Sequence, residues 1–210
     1  MRDLQLEKTA ALHYDNALPY HNFDHIRSAL QVAEDIMARC RSRRQTLDEA
    51  AVYYAILFHD AGFREDHRQK GFTYKEEYSA HLARQALTTA KVASGTMDKA
   101  CEAIRGTRRG FDRKPGPETQ VVRAADLAQL AAPYLAFKLN TVNLWRENKI
   151  LTGKTLPWRE WRQKAVTDVG FFLDSLFFVE PGSLEADTKV FLTRARANLT
   201  ALAQDESVTD

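Results

Sequence analysis

Residues Ala50-Ala51-Val52-Tyr53-Tyr54-Ala55-Ile56-Leu57-Phe58 form an apolar, helix-like run that ends on an adjacent imidazole and carboxylate, His59 and Asp60. Two such groups at the end of an apolar helix are costly to bury unless something pairs them. A divalent metal ion does so. The fold must then bring further ligands to the same point. Two candidates sit at separations that let helices converge: His25 upstream and Asp126 downstream. Asp126 is again an acid inside an apolar helical pattern, Val121-Val122-Arg123-Ala124-Ala125-Asp126-Leu127-Ala128-Gln129-Leu130. Two histidines and two aspartates make a borderline N/O ligand set. It suits manganese, iron or zinc, magnesium less well, and does not distinguish these from nickel or cobalt.

Composition narrows the class. The chain has 210 residues, enough for one large domain or two small ones with a substantial core. Charged residues at 28% and hydrophobic ones at 44% are the balance of a soluble globular protein. A net charge of +2 argues against a nucleic-acid polymer as partner, which would need a concentrated basic face. The basic cluster from Arg39 to Arg44 reads as a helix C-terminus, where positive charge is favoured. Cys40 and Cys101 lack metal-ligand spacing and read as ordinary thiols, so a cytoplasmic setting is expected. No secretory leader is expected from Met1 to Lys8. No membrane partner is expected either, because no stretch approaches the roughly 18 to 20 continuous apolar residues of a membrane span. The oligomeric state stays open.

Nearly every segment reads as helix. Asn22 is placed to cap one whose apolar positions, Ile26, Ala29, Leu30, Ala33, Ile36 and Met37, recur at helical spacing. Thr46 and Glu49 form a capping-box pattern that launches the next helix, ending near His59-Asp60. Gly62 breaks it, and residues 61–74 form a polar loop. Helices are expected from about Lys75 to Ala93 and Met97 to Arg105, with Ser94-Gly95 as a turn. Residues 106–117, rich in glycine and proline, form a second loop. Helices then cover about Glu118 to Ala131 with Asp126 in its middle, Pro133 to Leu151, Trp161 to Phe178, and Ser183 to Ala203. The alternation in Leu4-Gln5-Leu6 is too brief to count as a strand, and the polar tail from Gln204 to Asp210 is expected to fray. Phe171, Phe172, Leu176, Phe177 and Phe178 read as core, as do most of Trp145, Trp158 and Trp161. The expected fold is one all-α domain over residues 1–210, an irregular multi-helix bundle.

The ordered ligands and their surroundings resemble the HD superfamily of metal-dependent phosphohydrolases. The chain is similar to a bacterial group with a Tyr-His-Asn-x-x-His opening, present here as Tyr20-His21-Asn22-Phe23-Asp24-His25. The group's other elements follow in order: Phe58-His59-Asp60, Glu76-Glu77-Tyr78-Ser79-Ala80, Ala125-Asp126-Leu127-Ala128-Gln129-Leu130 and Ala195-Arg196-Ala197-Asn198-Leu199. The resemblance spans about Tyr20 to Ala203. It implies a metal ion held by His25, His59, Asp60 and Asp126, and hydrolysis of a small phosphorylated substrate. The chain departs from the group at one place. A histidine usually follows a threonine closely, but here the chain reads Thr107-Arg108-Arg109.

Around the ligands, Asp60 is the candidate to position the nucleophile, with Glu77 or His21 assisting proton transfer. Arg64, Lys75, Arg108, Arg109 and Arg123 are candidates for phosphate contact, and Arg108 or Arg109 stands where the histidine is missing. His81 is the available ligand for a second metal. Arg196 and Asn198 read as ties between the last helix and the fold. The loops 61–74 and 106–117 are expected to rim the pocket, with Gly62 and Gly71 as hinges of the first. Two other readings stay open: a metal-dependent binder of phosphate compounds that turns nothing over, and a two-iron oxygenase.

Overall fold

Apolar positions repeating every three or four residues build helices, and every regular element among the described residues is helical. The computed structural model describes residues 2–111, 113–174 and 185–208. The order is α1 (Leu4–Ala11), α2 (Phe23–Ser42), α3 (Glu49–Phe58), α4 (Lys75–Thr89), α5 (Ser94–Arg105) and α6 (Pro117–Asp126). A 3₁₀ turn (Ala128–Ala131) follows, then α7 (Tyr134–Thr152), α8 (Trp158–Asp174) and α9 (Glu185–Gln204). The fold is all-α, an irregular multi-helix bundle. No helix among the described residues is long and apolar enough to cross a membrane.

By internal contacts the chain divides into two compact units. The first comprises Met1–Ala17 and His21–Asp126, the second Leu18–Tyr20 and Leu127–Asp210. In the first unit α3 is the central helix, packed by α2, α4, α5 and α6. A helix that is apolar all round has to be enclosed in this way. Ala51, Val52, Tyr53, Ala55, Ile56, Leu57 and Phe58 are all buried. The helix α2 lays one face on it, burying each of the six positions that its spacing marked.

The second unit encloses Leu130, Phe137, Val142, Trp158, Leu173, Ala195, Leu199 and Leu202. Its tryptophans are structural: Trp145 meets Trp158 edge-on at 5.4 Å and donates Nε1–H to the Leu156 carbonyl, while Trp161 donates to that of Thr141. Asn198 ties α9 down through two 2.8 Å bonds, to the carbonyls of Leu130 and Ala132. Arg196 pairs with Asp174 at the surface.

Several expectations are corrected. The first turn of α3 is capped by Asp48, not Thr46. The Asp48 carboxylate takes the Ala51 N–H at 3.0 Å and stands nearer the apolar run. Ser94 and Gly95 open α5 rather than turning the chain; first-turn N–H groups have no intrahelical partner, so glycine is tolerated there. Leu4-Gln5-Leu6 is no strand, as expected, and lies in a helix capped by Asp3. Asp126 ends α6 instead of lying in its middle, and the chain tightens at once into the 3₁₀ turn, a common way to satisfy terminal carbonyls. Phe171 is 49% exposed and Phe172 half-buried; residues 176–178 and Ser183 lie outside the described residues. The start of the tail is held rather than frayed. Asp205 accepts from Tyr134 and Lys138, and its carbonyl from Arg162.

Candidate metal centre

Each ligand of the expected set sits at a helix end, for a local reason. Asn22 caps α2 and accepts N–H groups from Asp24 and His25, which places His25 in the first turn. The last carbonyls of α3 need partners. Ile56 O takes the His59 Nδ1–H at 2.9 Å, Leu57 O takes the Tyr14 hydroxyl at 2.9 Å, and Phe58 O takes the Ala61 N–H at 3.0 Å. The chain then leaves through Gly62, whose φ of +72° favours glycine. A Cβ there would lie 2.6 Å from the Tyr78 ring. Ser79 of α4 closes the turn by donating to the Ala61 carbonyl at 2.9 Å.

These constraints bring His25, His59, Asp60 and Asp126 together, with one ligand atom from each lying within 4.8 Å of all the others. His25 Nε2 is 3.1 Å from Asp126 Oδ1 and 3.8 Å from Asp60 Oδ2. His59 Nε2 is 3.2 Å from Asp60 Oδ2 and 3.4 Å from Asp126 Oδ1. His59 is only 1% exposed. With its Nδ1–H committed to Ile56, its Nε2 points among carboxylate oxygens, yet forms no directed hydrogen bond to either. A buried nitrogen left without a partner is costly. An ion held by two imidazole nitrogens and two carboxylate oxygens removes that cost. The tetrad fits one divalent ion of unspecified identity, held by His25, His59, Asp60 and Asp126.

The electrostatics agree. Burial raises an acid's pKa, but for Asp60 the charges of Lys75, His59 and His21 outweigh burial and hold it well below the usual range. Asp126 is lowered in the same way, by His59 and His25 against burial. Burial lowers the pKa of His59, and the charges of Asp60 and Asp126 more than reverse it. Both acids are therefore ionised, as ligands must be.

The other expected site residues fall into two groups. His21 and Lys75 are at the tetrad: His21 Nε2 is 4.0 Å from Asp60 Oδ2, and Lys75 Nζ is 3.2 Å from Asp60 Oδ1. Phe63, in the first loop, stacks on His21 with centroids 3.7 Å apart. The rest make other contacts. Glu77 is half-buried in α4, and among the described residues no hydrogen bond or ion pair joins its carboxylate to the tetrad. Arg64 bridges to Asp15. Arg108 lies over the Tyr74 ring at 4.1 Å, and Arg109 is exposed. Arg123 is buried, donates to the Gly106 carbonyl at 2.5 Å, and has its pKa pushed down by burial to about 10. His81 is exposed against Phe72 and outside the ligand group.

Tyr14 and Ser79 were not singled out as supports of the doublet. Their partners lie 43 and 18 residues away, so no local pattern marks them. The whole is an all-α protein with a buried His/Asp cluster suited to a metal-dependent, hydrolase-like site. No family model matches this chain, and no curated protein matches it.

Proposed function

We propose that this protein hydrolyses phosphoester or phosphoanhydride bonds in a small phosphorylated metabolite or nucleotide, as a metal-dependent enzyme of the HD type that its motifs resemble. One observation carries the reading: the ligands His25, His59, Asp60 and Asp126 converge in that chain order around a buried His59 Nε2 that no hydrogen bond satisfies. When bound, a divalent ion polarises a phosphoryl oxygen and acidifies water.

The chain's own groups divide the remaining work. Asp60 turns Oδ2 towards three imidazoles and orients the attacking water. His21, held flat against Phe63, moves the proton; it stands closer to the reacting carboxylate than Glu77, for which no contact with the tetrad is seen. Arg108 and Arg109 meet the phosphate where relatives of the resembled group carry histidine. Arg64 and Arg123 are engaged with Asp15 and Gly106 and serve the scaffold. The loops 61–74 and 106–117 rim the entrance, supported by Phe63 on His21 and by Arg108 over Tyr74. The buried thiols of Cys40 and Cys101 suit the accompanying cytoplasmic assignment.

The test is turnover by metal-loaded protein against nucleoside mono-, di- and triphosphates, cyclic nucleotides and guanosine tetraphosphate. Product release that disappears in Asp60→Asn and His59→Ala is expected. Loaded wild-type protein inert across the panel would overturn hydrolysis. The replacement of the histidine after Thr107 by Arg108 favours a second reading, metal-dependent binding without turnover. Tight binding of a phosphate compound with no product would select it.

A further inference from the structure

The two oxygens of Asp60 face different neighbours. Oδ2 looks into the tetrad, 3.2 Å from His59 Nε2 and 3.8 Å from His25 Nε2. Oδ1 looks outward, 3.2 Å from the ammonium of Lys75. Lys75 is the first residue of α4, and its ammonium also lies 4.4 Å from the centroid of the Phe63 ring. Its side chain is 42% exposed, against 8% for Asp60. A cation therefore stands at the mouth of the tetrad, with one side on a ligand carboxylate and the other towards solvent.

Charge balance gives this position a consequence. With the tetrad free of metal, the ammonium of Lys75 offsets part of the charge of two carboxylates. A divalent ion cancels both carboxylates by itself and leaves the ammonium as the uncancelled charge. At that distance Lys75 opposes the incoming ion, because like charges repel across a partly screened gap. It also becomes available to an anion arriving at the ion's open side.

We propose that Lys75 is a counter-charge that changes partner. It pairs with Asp60 in the metal-free protein and turns to a phosphoryl group once an ion occupies the tetrad. This rests on the functional reading above and sharpens it: Lys75 weakens metal binding alone and strengthens the binding of metal and phosphate together. By linkage, phosphate must then tighten metal binding to the same degree that metal tightens phosphate binding.

The competing role is orientation alone, in which Lys75 merely holds Asp60 in place. The two roles predict opposite signs. Mn²⁺ affinity is measured by the electron paramagnetic resonance of free Mn²⁺, with and without inorganic phosphate, for wild type, Lys75→Met and Lys75→Arg. The Lys75→Met protein should bind Mn²⁺ alone at least about threefold more tightly. Its Mn²⁺-loaded form should bind phosphate about tenfold more weakly than wild type, since a charge-assisted hydrogen bond is lost. Lys75→Arg, which keeps the charge, should stay within about threefold of wild type in both. Weaker or unchanged Mn²⁺ binding in Lys75→Met overturns the proposal, as does unchanged phosphate binding. A wild-type protein that takes up no Mn²⁺ overturns the tetrad reading and this proposal together. Normal Mn²⁺ and phosphate binding in wild type, with no difference in Lys75→Met, overturns this proposal alone.

Discussion

Both units bury polar side chains, but they complete them differently. In the second unit two buried groups that shape the core close their bonds within the protein. Glu147, 2% exposed, takes the Tyr20 N–H at 3.0 Å, and Asn198 joins two carbonyls. In the first unit the tetrad gathers two carboxylates around a buried imidazole nitrogen. Asp60 and Asp126 crowd His59 Nε2, which stays without a hydrogen bond. A finished polar network rigidifies a core; an unfinished one costs free energy unless something completes it. The difference separates a structural cluster from a site.

The sharpest way to break this comparison is to supply the missing partner. A divalent ion at about a thousandfold above its dissociation constant should stabilise the first unit by about 4 kcal/mol. His59→Ala should lose nearly all of that gain. Hydrogen exchange across α3 and α6, with metal and with chelator, measures it. Equal protection of α7 and α9 by the ion, or a gain that survives in His59→Ala, would erase the distinction.

The next effect is covalent geometry. Gly62→Ala should cost about 3 kcal/mol in the first unit, because the residue sits at φ +72° and its new Cβ would lie 2.6 Å from the Tyr78 ring. Denaturant dependence of exchange in α3 and α4 reads it out. A variant as stable as wild type would show that the turn after the doublet is free to relax.

In the second unit, Asn198→Ala should cost about 2 kcal/mol, because it strips the donor from two carbonyls. All three tryptophans lie in this unit, so their fluorescence during denaturation follows it selectively. Metal affinity should not change. A change would join what the comparison separates.

The smallest effect is a pH dependence. Burial raises the pKa of Asp205, yet Lys138, Ser207 and Tyr134 outweigh it and hold the carboxyl below its usual range. A folded pKa that is depressed gives stability that is present above the unfolded value, about 3.9, and is lost as pH falls towards the folded one. Tryptophan-monitored stability should therefore decline below about pH 4 in wild type. The decline should be shallower in Asp205→Asn. Identical slopes would show that the tail contact contributes nothing to folding.

Much of this was legible in the chain because helices advertise themselves locally. The spacing of Ile26, Ala29, Leu30, Ala33, Ile36 and Met37 marked the buried face of α2, and the unbroken run 50–58 marked the enclosed α3. The ligands were legible too: His59, Asp60 and Asp126 as ionisable groups stranded in apolar patterns, and His25 by its separation from them and by the motif it belongs to. Boundaries were less so. Thr46 and Asp48 are both good caps, and only packing selects Asp48, whose second oxygen takes the Thr96 hydroxyl at 3.0 Å. Arg123 matched a phosphate-binding residue by type and position, and its donation to the Gly106 carbonyl was not legible.

The sequence by itself determined which segments are helical and that His59, Asp60 and Asp126 are out of place in apolar surroundings, because burial periodicity acts within a few residues. Only the tertiary structure decided that Asp126 stands at a helix end and that Tyr14 and Ser79 secure the doublet. It also decided that the two oxygens of Asp60 divide between the imidazoles and Lys75. Those are contacts between groups as far as 43 residues apart, and no local pattern encodes the distance or direction at which packed helices present their side chains.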